Sequence, residues 1–144
     1  MKILVYGLPG SGKSTLAEPL AKLVNGVHLN ADRVREEYND WDFTPEGRMR
    51  QAMRMKFLSD GVVKAGKVAV ADFICPTVEA RSFFNADFAV WMDTIQEGRF
   101  EDTNKIFEVP HIDEYDYHVC KWFNDTHQQL AQVLEKYLDL DYCR

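Results

Sequence analysis

Eight residues near the start of the chain restrict its fold more than any other stretch. Gly7-Leu8-Pro9-Gly10-Ser11-Gly12-Lys13-Ser14 satisfies the phosphate-loop pattern G-x-x-x-x-G-K-[ST] at every fixed position, and Thr15 follows. The pattern needs a strand that runs into a glycine-rich turn opening a helix. Both flanks comply. Ile3, Leu4, Val5 and Tyr6 form an apolar, strand-prone run, and Leu16, Ala17, Leu20, Ala21, Leu23 and Val24 recur at helical spacing. Glycines let the backbone approach a phosphate with no Cβ in the way. The loop N–H groups and the helix N-terminus then form an anion site. Lys13 suits the β- and γ-phosphates of ATP, and the Ser14 hydroxyl suits Mg²⁺. Gly7, Pro9, Gly10, Ser11, Gly12, Lys13, Ser14 and Thr15 are therefore the expected ATP-binding residues. The loop leaves open which molecule, or water, receives the phosphoryl group.

The alternation of strand and helix continues along the chain. Strands are expected at 2–6, 27–30, 67–71 and 88–92, with a short one at 117–120. Helices are expected at 13–24, 32–38, 45–65, 77–84 and 125–138. Within 45–65, Met49, Ala52, Met53, Phe57, Leu58 and Val62 are apolar at mixed three- and four-residue spacing. Residues 94–116 show no period. Alternating strands and helices predict an α/β fold with a central parallel sheet covered by helices on both faces. Ligands in such folds bind beyond the carboxyl ends of the strands. At 144 residues, with no repeat or linker, one domain spanning 1–144 is expected.

Charge narrows the partners. Seventeen basic against 23 acidic residues leave a net charge of −6, which argues against a nucleic-acid-coating protein. A small anionic ligand stays open, because local arginines outweigh the sum. Cys75, Cys120 and Cys143 lack metal-type spacing, and this odd, scattered set suggests free thiols in a reducing compartment. No signal peptide or membrane-length apolar run is visible, so a cytoplasmic protein is expected.

Two acids fall at strand ends. Val68-Ala69-Val70-Ala71-Asp72 has the shape of the second nucleotide motif, whose carboxylate sits near Mg²⁺. A strand-end aspartate also serves as a helix cap. Asp32 competes for the same role, as metal partner or as base for an acceptor hydroxyl. Its alternative is to N-cap the helix at 33–38. Of the arginines, Arg35, Arg48 and Arg81 fall nearest the expected ligand edge, where guanidinium forks match phosphate or sulfate oxygens. Phe43 and Phe73 lie at the same edge, as stacking faces for a purine or as core residues.

An ordered set of motifs then resembles the adenylylsulfate kinase family. The set is the phosphate loop, Asn30-Ala31-Asp32-Arg33-Val34-Arg35, Phe43-Thr44 with Arg48 and Gln51, Asp72-Phe73-Ile74-Cys75-Pro76 with Arg81, and Val90-Trp91-Met92-Asp93-Thr94. The family carries G-L-S/P-G-x-G-K-S-T, D-G-D-N-V-R, F-S/T before R-x-x-N, A-F-I-S-P and V-x-V-D-T. The resemblance covers residues 3 to about 95. It implies transfer of the ATP γ-phosphate to the 3′-hydroxyl of adenosine 5′-phosphosulfate, giving 3′-phosphoadenosine 5′-phosphosulfate. It implies that Asp32 assists Mg²⁺ and the acceptor hydroxyl, which with the phosphate loop and the strand-end motif makes Lys13, Asp32 and Asp72 the expected catalytic residues and Ser14 and Asp32 the expected metal partners. Arg35 and Arg48 would hold the phosphosulfate and Phe43 would meet the acceptor adenine. Gln51, Phe73, Ile74, Cys75 and Pro76 would line the acceptor pocket. A homodimer is entertained as the assembly.

The departures from the family pattern are local. Asn30 and Ala31 replace the first two residues of D-G-D, Cys75 replaces the serine of A-F-I-S-P, and Gln51 stands in for the asparagine after Arg48. The family lid sequence R-D-x-K-G-L-Y-K-K is not recognisable. In the lid-like stretch, about 94–116, Arg99 and Lys105 are the candidates to neutralise phosphates. Two other readings stay open. One is a kinase for another hydroxyl, on a nucleoside, a sugar or a polynucleotide 5′-end. The other is a nucleotide-binding module with weakened catalysis.

Overall fold

The computed structural model describes residues 1–98 and 101–142, the side chains of Asp102 and of 138–142 excepted. Arg99, one of the two lid candidates, and Cys143 therefore lie outside the described residues. In chain order the elements are β1 (Lys2–Gly7), α1 (Lys13–Leu23), β2 (Val27–Asn30), α2 (Ala31–Tyr38) and α3 (Pro45–Lys64). There follow β3 (Ala69–Asp72), α4 (Val78–Phe84), β4 (Phe88–Met92), α5 (Glu101–Ile106), β5 (Tyr117–Val119) and α6 (Thr126–Tyr142). A 3₁₀ turn at Ile112–Glu114 precedes β5.

The strands form one sheet in the order β2-β3-β1-β4-β5, and every pairing is parallel. Side chains alternate across β1. Ile3 and Val5 face α1 and α6, packing with Leu16, Leu20, Leu130 and Leu134. Leu4 and Tyr6 face the opposite layer, with Val34, Met55, Phe73 and Phe84. Both faces are thus covered by helices, and the strand ends are the edge left for a ligand. The phosphate loop leaves the central strand at that edge. Gly7 is required there, because a Cβ would stand 2.5 Å from the Met92 carbonyl oxygen of β4.

Three local features differ from the sequence expectations. α2 begins at Ala31, and its N-cap is Asn30, whose side chain accepts from the Arg33 N–H. Asp32 is not the cap; it lies exposed in the first turn. α3 turns Met49, Met53 and Phe57 to solvent, Phe57 being 78% exposed, and buries Gln51, Ala52, Met55 and Ser59. Inside the aperiodic stretch 94–116 stand α5 and the 3₁₀ turn. Six residues make less than two helical turns, too few to carry a 3.6-residue period.

Candidate active site

The ends of β1, β2 and β3 bring four side chains together. Ser14 opens α1 and donates from Oγ to Asp72 Oδ1 at 3.1 Å. Asn30, at the end of β2, donates from Nδ2 to Ser14 Oγ at 2.9 Å and to Asp72 Oδ1 at 3.2 Å. His28 Nε2 meets the other carboxylate oxygen, Asp72 Oδ2. Asp72 is buried at 2% exposure, and these partners satisfy both of its carboxylate oxygens. Of the two candidate acids, Asp72 is the one bonded to Ser14. His28 is absent from the sequence expectations, yet it shares a strand face with Asn30 two residues later, and that spacing is its only signal.

Lys13 folds back over the loop, donating from Nζ to the Leu8 carbonyl at 3.0 Å. Ser11 is buried, its hydroxyl turned inward, while Gly10, Ser14 and Thr15 are exposed. Thr94 Oγ1 donates to the Ser11 carbonyl at 2.7 Å, which ties the segment after β4 to the loop. On the far side, a Cβ at Gly12 would meet the Trp122 ring at 3.9 Å. Trp122 is 40% exposed, so an aromatic face borders the loop where helix α1 begins.

Hard oxygen donors of the Ser14 and Asp72 kind fit Mg²⁺, which is usually held by one or two protein oxygens together with substrate phosphates. Among the described residues no three His, Cys, Asp or Glu side chains converge as a metal cage.

The acceptor candidates form a second cluster. The Arg35 guanidinium lies 4.3 Å from the Phe43 ring centroid and that of Arg48 lies 5.6 Å from it. Arg35 is buried and donates from Nη1 to the carbonyls of Asp40 at 2.9 Å and Asp42 at 3.1 Å. Burial lowers its pKa, and the Asp40 carboxylate opposes that shift. Arg48 donates from Nε to the Phe43 carbonyl at 2.8 Å and from Nη2 to Thr103 Oγ1 at 3.4 Å. Residues 40–44 are braced further. Arg50 pairs with Asp40 and Asp42, and Arg54 with Asp40. The hydrogen bonds from Thr44 and Arg50 hold the Asp42 carboxyl down at about 2. Gly47 is required at this point, since a Cβ would overlap Asp42. Phe43 itself stays half-exposed.

Gln51 is buried, donating from Nε2 to the Ala31 carbonyl at 2.9 Å, while its Oε1 has no hydrogen-bond partner among the described residues. Phe73 packs edge-on against Phe84 at 5.4 Å, in the core. Ile74 and Pro76 are partly exposed, and Cys75 is buried between them. Arg81, grouped by sequence with the anion-binding arginines, is a structural brace instead. Its guanidinium donates to the carbonyls of Cys75, Pro76 and Glu108 and pairs with Glu114 at 3.2 Å. Lys105 lines an open cleft with Glu97, Gly98, Glu101 and Asn104, and its ammonium lies 3.7 Å from Glu101.

The adenylylsulphate kinase family model matches residues 1–108, a stretch that holds both clusters and ends inside the lid-like segment. An adenylyl-sulfate kinase of Oceanobacillus iheyensis is 37% identical over 89 residues, covering 58% of this chain and 45% of its own length. The chain thus spans about half the length of the curated relatives it matches. Among solved structures, an APS kinase of Mycobacterium tuberculosis in complex with AMPPNP and APS superposes with a TM-score of 0.75 at 18% identity, covering 93% of this chain and 96% of that one. A sugar kinase from Janibacter superposes with a TM-score of 0.68 at 18% identity, covering 96% and 94%. The two structures share the P-loop kinase fold with this chain, and the family match over three-quarters of its residues gives the assignment: the chain belongs to the adenylylsulphate kinase family.

Proposed function

We propose that residues 1–144 act as one phosphotransferase unit that moves the γ-phosphate of ATP to the 3′-hydroxyl of adenosine 5′-phosphosulfate. The observation that carries this reading is the gathering of Arg35 and Arg48 at the Phe43 ring, with both guanidiniums within 6 Å of its centroid. An aromatic ring with two cations close by suits an adenine that carries a bulky anion.

Each group then has a task. Lys13 would leave the Leu8 carbonyl for the transferring phosphate, where a positive charge stabilises the transition state. Ser14 and Asp72 would hold Mg²⁺, which supplies charge neutralisation on the phosphates. Asp32, exposed at the start of α2, would accept the proton of the acceptor hydroxyl. Trp122 offers a face for the donor base beside Gly12. Residues 94–116, Arg99 and Lys105 included, would cover the phosphates and exclude water. A cytoplasmic location and a homodimer complete the reading. Among the described residues no helix is long and apolar enough to cross a membrane.

One observation favours a second reading. Arg35 already donates to two backbone carbonyls, so part of its fork is engaged within the protein. A kinase for an uncharged hydroxyl acceptor, a sugar or a nucleoside, needs no phosphosulfate clamp. An acceptor screen with ATP and Mg²⁺ separates the two, scored as ADP release above the hydrolysis background and with Lys13→Ala as the blank. Phosphorylation of adenosine 5′-phosphosulfate supports the first reading. Turnover only with a sugar or nucleoside replaces it with the second.

A further inference from the structure

One carboxylate and one carboxamide stand side by side at the phosphate end of the sheet, and hydrogen bonding dictates which is which. Asn30 and Asp72 are register partners on β2 and β3. Asn30 Oδ1 is committed to capping α2, accepting the Arg33 N–H at 3.1 Å, a role that only the oxygen of the amide can fill. Its Nδ2 is thereby turned toward Ser14 and Asp72. Acids at both positions would bring like charges to within hydrogen-bond distance, and one would be forced to keep its proton.

His28 completes the arrangement. Its side chain is 11% exposed and that of Asp72 3%. By binding Oδ2, Nε2 fixes the carboxylate plane so that Oδ1 is the atom facing Ser14. This contact requires the tautomer that is protonated on Nε2, or the cation.

We infer, on the phosphate-loop reading proposed above, that His28 is a positioning residue for Asp72 and that positions 30 and 72 jointly host a single carboxylate for nucleotide-borne Mg²⁺, kept in this chain on β3. Calorimetric titration of ADP, once with excess Mg²⁺ and once in EDTA, tests it without turnover. The readout is the ratio of the two affinities.

Asp72→Asn should abolish the gain from Mg²⁺. The exchanged pair N30D/D72N should recover most of it, because one carboxylate and one amide again face Ser14 and an aspartate caps a helix as well as asparagine does. His28→Ala should shrink the gain by about 10–100-fold, as loss of a residue that orients a metal ligand commonly does. Its affinity in EDTA should stay unchanged. His28→Gln, which keeps a donor, should restore most of the gain and covers the case in which His28→Ala fails to fold. ADP binding that is intact, with the ratio at the wild-type value in D72N or H28A, or no better in N30D/D72N than in D72N, overturns the inference alone. A wild-type protein that binds ADP in neither buffer overturns the phosphate-loop reading and the inference with it.

Discussion

Arg81 Nη2 stands 2.6 Å from the carbonyl oxygen of Glu108, and this bond ties α4 to the lid-like segment just beyond α5. The same side chain holds the carbonyls of Cys75 and Pro76 and the carboxylate of Glu114, and its guanidinium lies 4.7 Å from the Tyr6 ring. Arg81→Leu should therefore act on stability. Loss of several charged hydrogen bonds, with Glu114 left half-satisfied, should lower the unfolding free energy by about 3–5 kcal/mol, the range for breaking a buried pair. Arg81→Lys should recover little, since one ammonium cannot span the fork. Urea unfolding measures both. An Arg81→Leu protein within 1 kcal/mol of wild type, a margin of roughly one ordinary hydrogen bond, would contradict the assignment.

Cys75 gives the chain an alkaline sensitivity. Burial pushes its thiol from an ordinary value of 9.0 up to about 12, with Arg81 opposing the shift. Burial raises the Tyr6 phenol as well. Both groups keep their protons longer in the folded state than in the unfolded one. Between pH 9 and 12 the unfolded chain binds fewer protons, so stability falls as pH rises. One such thiol sets a slope of at most about 1.4 kcal/mol per pH unit. Cys75→Ser should flatten the stability profile over that window by up to one proton, as read from denaturant midpoints at stepped pH. An unchanged slope would remove Cys75 as its source.

How much of this was legible in the sequence depends on the range of the interaction concerned. β1, the phosphate loop and α1 are readable because a local motif and two periodic flanks agree. The Asp72 strand end is readable for the same reason. Arg81 is not, because an arginine's role is set by the carbonyls it meets, and Glu108 lies 27 residues away. α3 misleads for a related reason. Its inward face is chosen by tertiary contacts such as the Gln51 bond to Ala31, while Met49, Met53 and Phe57 point outward. α5 escapes because it is short and held from outside, by Arg48 on Thr103 and by the Gly98 to Asn104 bond at 2.7 Å.

Those last contacts make the lid-like segment testable. It is fastened at Thr94 to the phosphate loop and at Glu108 to Pro76, the latter at 2.7 Å, so any closure must pivot between those points. Proteolysis between residues 96 and 107 should slow several-fold when ADP and adenosine 5′-phosphosulfate are both present. Arg48→Ala should speed cleavage of the free protein, because it removes the bond to Thr103. Cleavage that is indifferent to ligands would argue against a covering role.

Arg35 and Asp32 occupy the same helix, three residues apart, yet their substitutions should separate binding from chemistry. Arg35 is buried and braces the loop that carries Phe43, and in the proposed reading it would also hold the phosphosulfate. Arg35→Ala should therefore weaken use of adenosine 5′-phosphosulfate by about ten- to a hundredfold in kcat/KM, the equivalent of one charged hydrogen bond, and lower stability as well. ADP affinity should hold, since the donor site lies across the strand ends at Lys13 and Ser14. Asp32 is exposed, and its substitution removes little beyond a favourable charge in the first turn, about 0.3–1 kcal/mol. Asp32→Asn should leave folding and both substrate affinities nearly intact while reducing kcat by about 10²–10⁴, the usual contribution of a positioned acid or base. Steady-state assays with adenosine 5′-phosphosulfate, paired with ADP calorimetry, distinguish the outcomes. An Asp32→Asn enzyme with a wild-type kcat would take the base away from α2. Asp72, with its carboxylate already on Ser14, would then be the remaining acid of the pair.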